Sequence, residues 1–143
     1  MTEILVCDTS VVSHLFRRRS QPDRYAGWGS VSRLRGSVLA ISVVTVAESR
    51  AGFLIDHWGL RKTCTANRML EGFLQIPVDR SALDEWARLR AAARARGIAI
   101  SDNDLWIAAT ASVREQVLVT CDRDHQRIAP ELPVDVVFLV PPV

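Results

Sequence analysis

Ser101-Asp102-Asn103-Asp104-Leu105-Trp106-Ile107-Ala108-Ala109-Thr110-Ala111-Ser112-Val113-Arg114, followed by Glu115-Gln116 and then Val117-Leu118-Val119-Thr120-Cys121-Asp122, is the stretch whose reading decides the fold. Its first part reads as a helix that ends near Arg114, and its second as a short apolar strand, Val117 to Thr120. A helix of that length rises about 18 Å, close to the length of a five-residue strand. The head of the helix therefore lies near the far end of the strand that follows it. Asp104 and Asp122, distant in sequence, are brought to one edge.

The same alternation extends in both directions. Toward the amino terminus, the strand Ile4 to Asp8 precedes a helix from Thr9, with Val11, Val12, Leu15 and Phe16 at helical spacing, that stops near Arg17, Arg18 and Arg19. A polar turn at Ser20 to Asp23 leads to a weaker helical stretch through Trp28 to Leu34, with Gly36 as its C-cap. A strand around Val38 to Ile41 leads within a few residues to Glu48. A helical hairpin follows, Thr45 to about Gly59 and Lys62 to Phe73, with Phe53, Leu54, Trp58, Met69 and Leu70 as its apolar contacts. Gln75 to Val78 reads as a strand and Ser81 to about Arg96 as a helix that opens on Ser-x-x-Asp and ends at Gly97; Val136 to Val140 is the last strand. Strands alternating with helices make the class α/β.

In an open parallel sheet the carboxyl ends of the strands share one edge, and ligands bind in the crevice there. Asp8, Glu48, Asp104 and Asp122 all fall at that edge. Each has a second reading as a helix cap, since Thr45-x-x-Glu48 and Ser101-x-x-Asp104 match the capping box and Asp8 and Asp122 precede helices. Capping explains each acid singly but not their gathering. Gathered carboxylates repel one another unless a cation neutralises them, and hard carboxylate oxygens select Mg²⁺ or Mn²⁺. Asp102 and Asp104 point about 200° apart on a helix. Asp104 shares its face with Ile107, Ala108 and Ala111, which suit the sheet, so Asp104 is the expected ligand and Asp102 the helix-start charge.

Composition narrows the function classes. The chain has 143 residues, 48% hydrophobic and 24% charged, which suits one domain with a real core. Its longest apolar stretch, Val38 to Ala47, is far short of the roughly 20 residues that span a bilayer. The amino terminus carries Glu3 and lacks the basic start and apolar centre of a secretory signal, so a cytoplasmic location is expected. Cys7, Cys64 and Cys121 are an odd number without close pairing, which argues against a disulfide scaffold or a Cys-x-x-Cys zinc site. Cys7 and Cys121 each precede an acid of the set. If their strands are adjacent the two thiols lie side by side, either as inert packing or as a redox lock on the site. The net charge is only +2, but 17 of the 18 basic residues are arginine, a residue suited to phosphate. Coding bias and a solvated helix face, as for Arg88, Arg90, Arg94 and Arg96, are the first explanation of any one of them, and the triplet Arg17 to Arg19 only suggests more.

Val6-Cys7-Asp8-Thr9-Ser10-Val11-Val12, the central Glu48, Asn103-Asp104-Leu105-Trp106-Ile107-Ala108-Ala109 and Leu118-Val119-Thr120-Cys121-Asp122-Arg123-Asp124 together resemble the PIN-domain ribonucleases of the VapC toxin type, over nearly the whole chain. The resemblance implies a PIN-like three-layer α/β fold, with a mostly parallel sheet of about five strands flanked by helices and residues 1–143 as one nuclease domain. It implies that Asp8, Glu48, Asp104 and Asp122 hold Mg²⁺ or Mn²⁺ and activate a water that cleaves an RNA phosphodiester. Thr9, Ser10 and Thr120, with Asp102 and Asp124, would support that pocket. A small cognate antitoxin protein and a homodimer are implied as partners. The family often carries Phe where this chain has His125, a surface or packing histidine or an altered wall of the RNA cleft.

Other classes fit less well. A receiver domain calls for an acidic pair at the first strand and a late lysine, but Asp8 stands alone and Lys62 is the one lysine. A haloacid-dehalogenase phosphatase calls for Asp-x-Asp where this chain reads Asp8-Thr9-Ser10. A two-histidine, metal-free mechanism would need His14 and His57 in one place, yet they lie on an apolar helix and on the hairpin. Trp28, Trp58, Trp86 and Trp106 suit a core better than a base-stacking platform. A non-catalytic PIN-fold RNA- or protein-binding module would show loss of one or more acids, and all four are present.

Overall fold

The computed structural model describes residues 2–29 and 34–142. In chain order the elements are β1 (Ile4–Cys7), α1 (Thr9–Ser20), a 3-10 turn (Pro22–Tyr25), α2 (Ala26–Gly29), β2 (Val38–Ser42), α3 (Val43–Ile55), α4 (Leu60–Glu71), β3 (Leu74–Ile76), α5 (Arg80–Ala95), α6 (Asp102–Val113), β4 (Val117–Thr120), α7 (Arg123–Ile128), a 3-10 turn (Ala129–Glu131) and β5 (Val136–Phe138). The strands form one sheet in the order β3-β2-β1-β4-β5. Every pairing is parallel. The α/β expectation holds, and the sheet is wholly rather than mostly parallel.

β1 is central, and its Leu5, Val6 and Cys7 are fully buried because helices cover both faces. Alternate residues serve opposite layers. Val6, Ala40 and Leu118 face α5 and α6, meeting Leu89, Ala93, Ile107, Ala108 and Ala111. Leu5, Cys7, Ile41 and Val119 face α1 and the α3–α4 hairpin, meeting Val11, Val12, Phe53, Ala66 and Leu70. α6 carries apolar or small residues all round and packs on α5, β2 and β4, so it is an interior helix. Ser101 starts it by accepting from the Asp104 N–H at 3.1 Å, the cap expected from its sequence.

Two other expected caps are displaced. Ser42, not Thr45, caps α3, accepting from Val44 N–H at 3.1 Å; Thr45 is fully buried inside the first turn. Asp79 caps α5, accepting from Ala82 N–H at 3.3 Å, and the Ser81 hydroxyl donates to the Asp79 carboxylate instead. The helix expected through Trp28 to Leu34 is the short α2 as far as Gly29, and residues 30–33 of that reading lie outside the described residues. Gly36 and Gly97 both have left-handed φ, +72° and +67°, where a side chain is strained.

The hairpin packs through Phe53 and Leu70, which are 5% and 1% exposed. Leu54, Ile55 and Leu60 are instead 78%, 72% and 83% exposed, so packing of the two helices on each other does not account for them. Among the described residues no helix is long and apolar enough to cross a membrane.

Leu118 is fully buried between β1 and β5. Leu118→Ala should cost about 2–5 kcal/mol, read as a lower urea midpoint with an unchanged slope.

Candidate active site

Asp8 is the last residue of the chain's path through β1 and the first cap of α1. Its Oδ1 accepts from Val11 N–H at 3.0 Å and from the Ser10 hydroxyl. Its Oδ2 accepts from the Thr120 hydroxyl and lies 2.9 Å from His125 Nδ1. Ser10 and Thr120 also accept, from Cys121 N–H at 3.1 Å and Asp122 N–H at 2.8 Å, so they tie the end of β1 to the end of β4. Asp8 is thus 1% exposed with donors around both oxygens.

Of the alternatives for His125, the structure shows a packing histidine and not a surface one, with polar partners that its position in the sequence does not indicate: it is 0% exposed, with Nδ1 2.9 Å from Asp8 Oδ2 and Nε2 2.9 Å from the Asp104 carbonyl. A carbonyl only accepts, so Nε2 carries a hydrogen, and the ionised Asp8 carboxylate asks the same of Nδ1. Burial alone would lower the imidazole's pKa, but the hydrogen bond and charge of Asp8 outweigh it and raise the value to about 9. Burial likewise pushes the Asp8 carboxyl up, and the hydrogen bonds of His125, Ser10 and Thr120 with the His125 charge hold it below its ordinary value. The available signal was position. A residue three places after the helix-capping Asp122 returns to the same side of α7.

Asp104, at the head of α6, and Asp122, the cap of α7, are both half-buried. A carboxylate oxygen from each and a ring nitrogen of His125 lie within 4.8 Å of one another. The Asp104 carboxyl is pushed above its ordinary value, first by burial and then by the charges of Asp122 and Asp8, against the opposing charge of His125. Since both His125 nitrogens already have partners, the open donors of this group are the two carboxylates. They are hard oxygens in a negative pocket, a set that fits Mg²⁺ or Mn²⁺.

Glu48 lies on α3, half-buried, and its Oε1 accepts from the Thr9 hydroxyl at 2.7 Å. The Thr9 hydroxyl also lies 3.1 Å from that of Thr45, the position whose cap the sequence overstated. Asp8, Thr9, Ser10, Thr120, Asp104 and Asp122 therefore gather at the expected edge, with Glu48 joined through Thr9. Asp102 does not turn inward: its side chain is 72% exposed and ion-pairs with Arg90. Asp124 faces along α7, 3.4 Å from Arg127.

The thiols are not side by side. Cys7 pairs in register with Val119, so Cys121 stands two residues further on, about 7 Å along a strand. Both are free, and burial first, then the charge of Asp8, raises each to about 12. Such thiols are unreactive at neutral pH.

The His125–Asp8 pair gives a pH dependence with a definite sign. His125 titrates at about 9 when folded against an ordinary 6.5, so its stabilisation is whole below pH 6.5 and is lost as pH rises through about 9. Asp8 is lowered, so its share is present above its ordinary 3.8 and is lost as pH falls through the lower folded value. In a chelating buffer the Tm of the protein should fall between pH 6.5 and about 9, and His125→Phe should lack that fall. A flat wild-type Tm over the window would mean that the pair is not charged.

Comparison with known proteins agrees with this architecture. The PIN domain family model matches residues 5–130. The chain is 31% identical over 124 residues to Ribonuclease VapC4 of Mycobacterium tuberculosis, covering 84% of this chain and 87% of that protein. Its fold is similar to VapBC2 from Rickettsia felis bound to a DNA fragment from its promoter, with a TM-score of 0.76 at 23% identity over 93% of this chain and 98% of that one. It is also similar to VapBC-5 of Mycobacterium tuberculosis, a member of the VapBC family of toxin-antitoxin systems, with a TM-score of 0.70 at 28% identity over 95% of this chain and 98% of that one. With the matched model spanning residues 5–130 and the match to the relative covering most of both chains, this chain belongs to the PIN-domain family, in its VapC branch.

Proposed function

We propose that the chain is a Mg²⁺- or Mn²⁺-dependent endoribonuclease, the toxin of a toxin–antitoxin pair, with residues 1–143 as one nuclease domain. The observation that carries this reading is the uncompensated charge of the pocket. Asp8 has an internal cation in His125, whereas Asp104 and Asp122 face one another without an ion pair of their own; burial first, and then the charges of Asp122 and Asp8, push the Asp104 carboxyl up. Its relative in Mycobacterium tuberculosis is named a ribonuclease, which supports RNA as the substrate.

Asp104 and Asp122 are the residues that would hold the ion, with Glu48 and Asp8 completing the acidic set. A bound Mg²⁺ or Mn²⁺ supplies a water of lowered pKa and stabilises charge on the phosphoryl oxygens. The chain's own residues set the frame. Thr9 donates to Glu48 beside a cavity that Phe16 and Arg17 also line, which supports a role for that carboxylate in taking the proton of an attacking water. Ser10 and Thr120 keep Asp8 in its rotamer, and His125 keeps Asp8 and the start of α6 together.

A toxin needs a restraining partner, and the similar structures are VapBC complexes, which supports a small antitoxin protein as that partner. The apolar surface of Leu54, Ile55 and Leu60 supports a face covered by a second chain, in a homodimer or by the antitoxin. Action on cellular RNA calls for a cytoplasmic location.

Cleavage of cellular RNA by the purified protein should disappear in excess EDTA and return with Mn²⁺; undiminished cleavage in EDTA would sink the metal mechanism. A protein that binds RNA but cleaves none under any metal would be a binding module. Asp104→Asn should lower the cleavage rate by roughly 10- to 100-fold or more, the range seen when a metal site is disturbed. Asp102→Asn removes only an exposed ion pair with Arg90, worth about 0–1 kcal/mol, and should keep most of the activity. Equal loss from both would contradict the facing of α6.

A further inference from the structure

Asp8 is closed in by polar groups on both of its oxygens. Oδ1 takes Val11 N–H at 3.0 Å and the Ser10 hydroxyl; Oδ2 takes the Thr120 hydroxyl and faces His125 Nδ1 at 2.9 Å. A carboxylate offers about four acceptor sites, and these groups occupy them. From the sequence, Asp8 is expected among the metal ligands. We propose instead that His125 is a positioning residue which, with the other groups around Asp8, keeps that carboxylate out of the coordination shell of the ion and leaves Asp104 and Asp122 to hold it. The proposal rests on the metal-dependent reading above and deepens it, separating the acids that bind the ion from the one that shapes their site.

Each group around Asp8 is held in place by something else. Val11 N–H is one of the donors left over at the start of α1, and Asp8 is its cap. The Ser10 hydroxyl also accepts from Cys121 N–H at 3.1 Å, and the Thr120 hydroxyl from Asp122 N–H at 2.8 Å. His125 is 0% exposed, and its Nε2 lies 2.9 Å from the Asp104 carbonyl, which fixes the ring at both ends. Turning Nδ1 away from Asp8 would strand a buried donor, because the Thr120 hydroxyl oxygen is 3.4 Å away. Coordination by Asp8 therefore costs a buried contact whichever group withdraws.

The other two acids differ. Asp122 accepts Asp124 N–H on Oδ1 at 2.8 Å, as the cap of α7, and Asp104 takes the Ser101 hydroxyl. Both keep open acceptor sites and both are half-buried, with an oxygen of each within 4.8 Å of the other. Binding a hard cation there breaks no buried contact. His125 holds the Asp104 carbonyl and stands three residues after Asp122, so it sets the spacing of the two ligands as well as the direction of Asp8.

The test is Mn²⁺ binding by the full chain without RNA, followed by titration calorimetry and by the paramagnetic signal of the free ion. Asp104→Asn should weaken binding by roughly tenfold or more. Asp8→Asn should leave it nearly unchanged. Its amide oxygen can accept from Val11 N–H and Ser10, and its NH2 can donate to Nδ1 of a neutral imidazole, so the network closes again. His125→Phe opens Oδ2 and should tighten Mn²⁺ binding by roughly tenfold, and adding Asp8→Asn to it should undo that gain. A histidine that served only the fold would show no such coupling. Tm values in EDTA show which variants are folded; should His125→Phe not fold, the comparison of Asp8→Asn with Asp104→Asn decides alone. Equal effects of those two changes on Mn²⁺ affinity, or a folded His125→Phe that binds no more tightly, would overturn the proposal. A parent protein that binds neither Mn²⁺ nor Mg²⁺ takes the metal-dependent reading down with it, whereas a parent that binds and an Asp8→Asn variant that does not remove this division of the acids alone.

Discussion

A single buried imidazole holds the candidate site in shape. His125 reaches the Asp8 carboxylate with one nitrogen and the Asp104 carbonyl with the other, each at 2.9 Å, and so joins the end of β1, the head of α6 and the first turn of α7. Burying one unpaired ion costs several kcal/mol, and a pair is tolerated only when its remaining polar atoms are also satisfied. Here they are. Ser10, Thr120 and Val11 N–H complete the shell around Asp8, and the Thr120 hydroxyl in turn receives Asp122 N–H. Asp8 is therefore fixed as the hub of the hydrogen-bond network, and the negative field left open belongs mainly to Asp104 and Asp122.

That arrangement also sets how much of the site is legible in the amino-acid sequence. The gathering of Asp8, Asp104 and Asp122 follows from chain length and parallel topology, because a helix and a strand of matched length return the chain to the same edge. The facing of Asp104 over Asp102 follows from helical angle, since Ile107, Ala108 and Ala111 had to be buried and are. His125 was not legible in the same way. Its burial depends on a partner 117 positions earlier in the sequence, and no local periodicity encodes a salt bridge between α7 and β1.

Caps and register failed for a different physical reason. Ser42 and Thr45 both offer a hydroxyl near the start of α3, and cap preferences differ by only about 1 kcal/mol or less between such residues. Tertiary packing made the choice: Thr45 is buried against Thr9, which leaves Ser42 to cap. For the thiols, equivalent places before two aspartates suggested equivalent depth along two strands. The pairing of Cys7 with Val119 shows β4 displaced by two residues, the offset that sets Thr120, rather than Asp122, opposite Asp8.

The distribution of paired and unpaired charge gives the molecule a direction. On the α5 side, Arg88, Arg90, Arg96 and Arg114 are tied to carboxylates, so their field is largely cancelled at short range. Among the described residues, Arg17, Arg19, Arg61 and Lys62 along α1 and α4 form no ion pair with a carboxylate, and they line cavities that reach Glu48. A polyanion approaching such a surface is drawn to these cations, yet repelled by the carboxylates beyond them unless a divalent ion sits there. Under the proposed reading, a divalent ion held by Asp104 and Asp122 would offset the charge that otherwise repels a phosphate from the acidic edge.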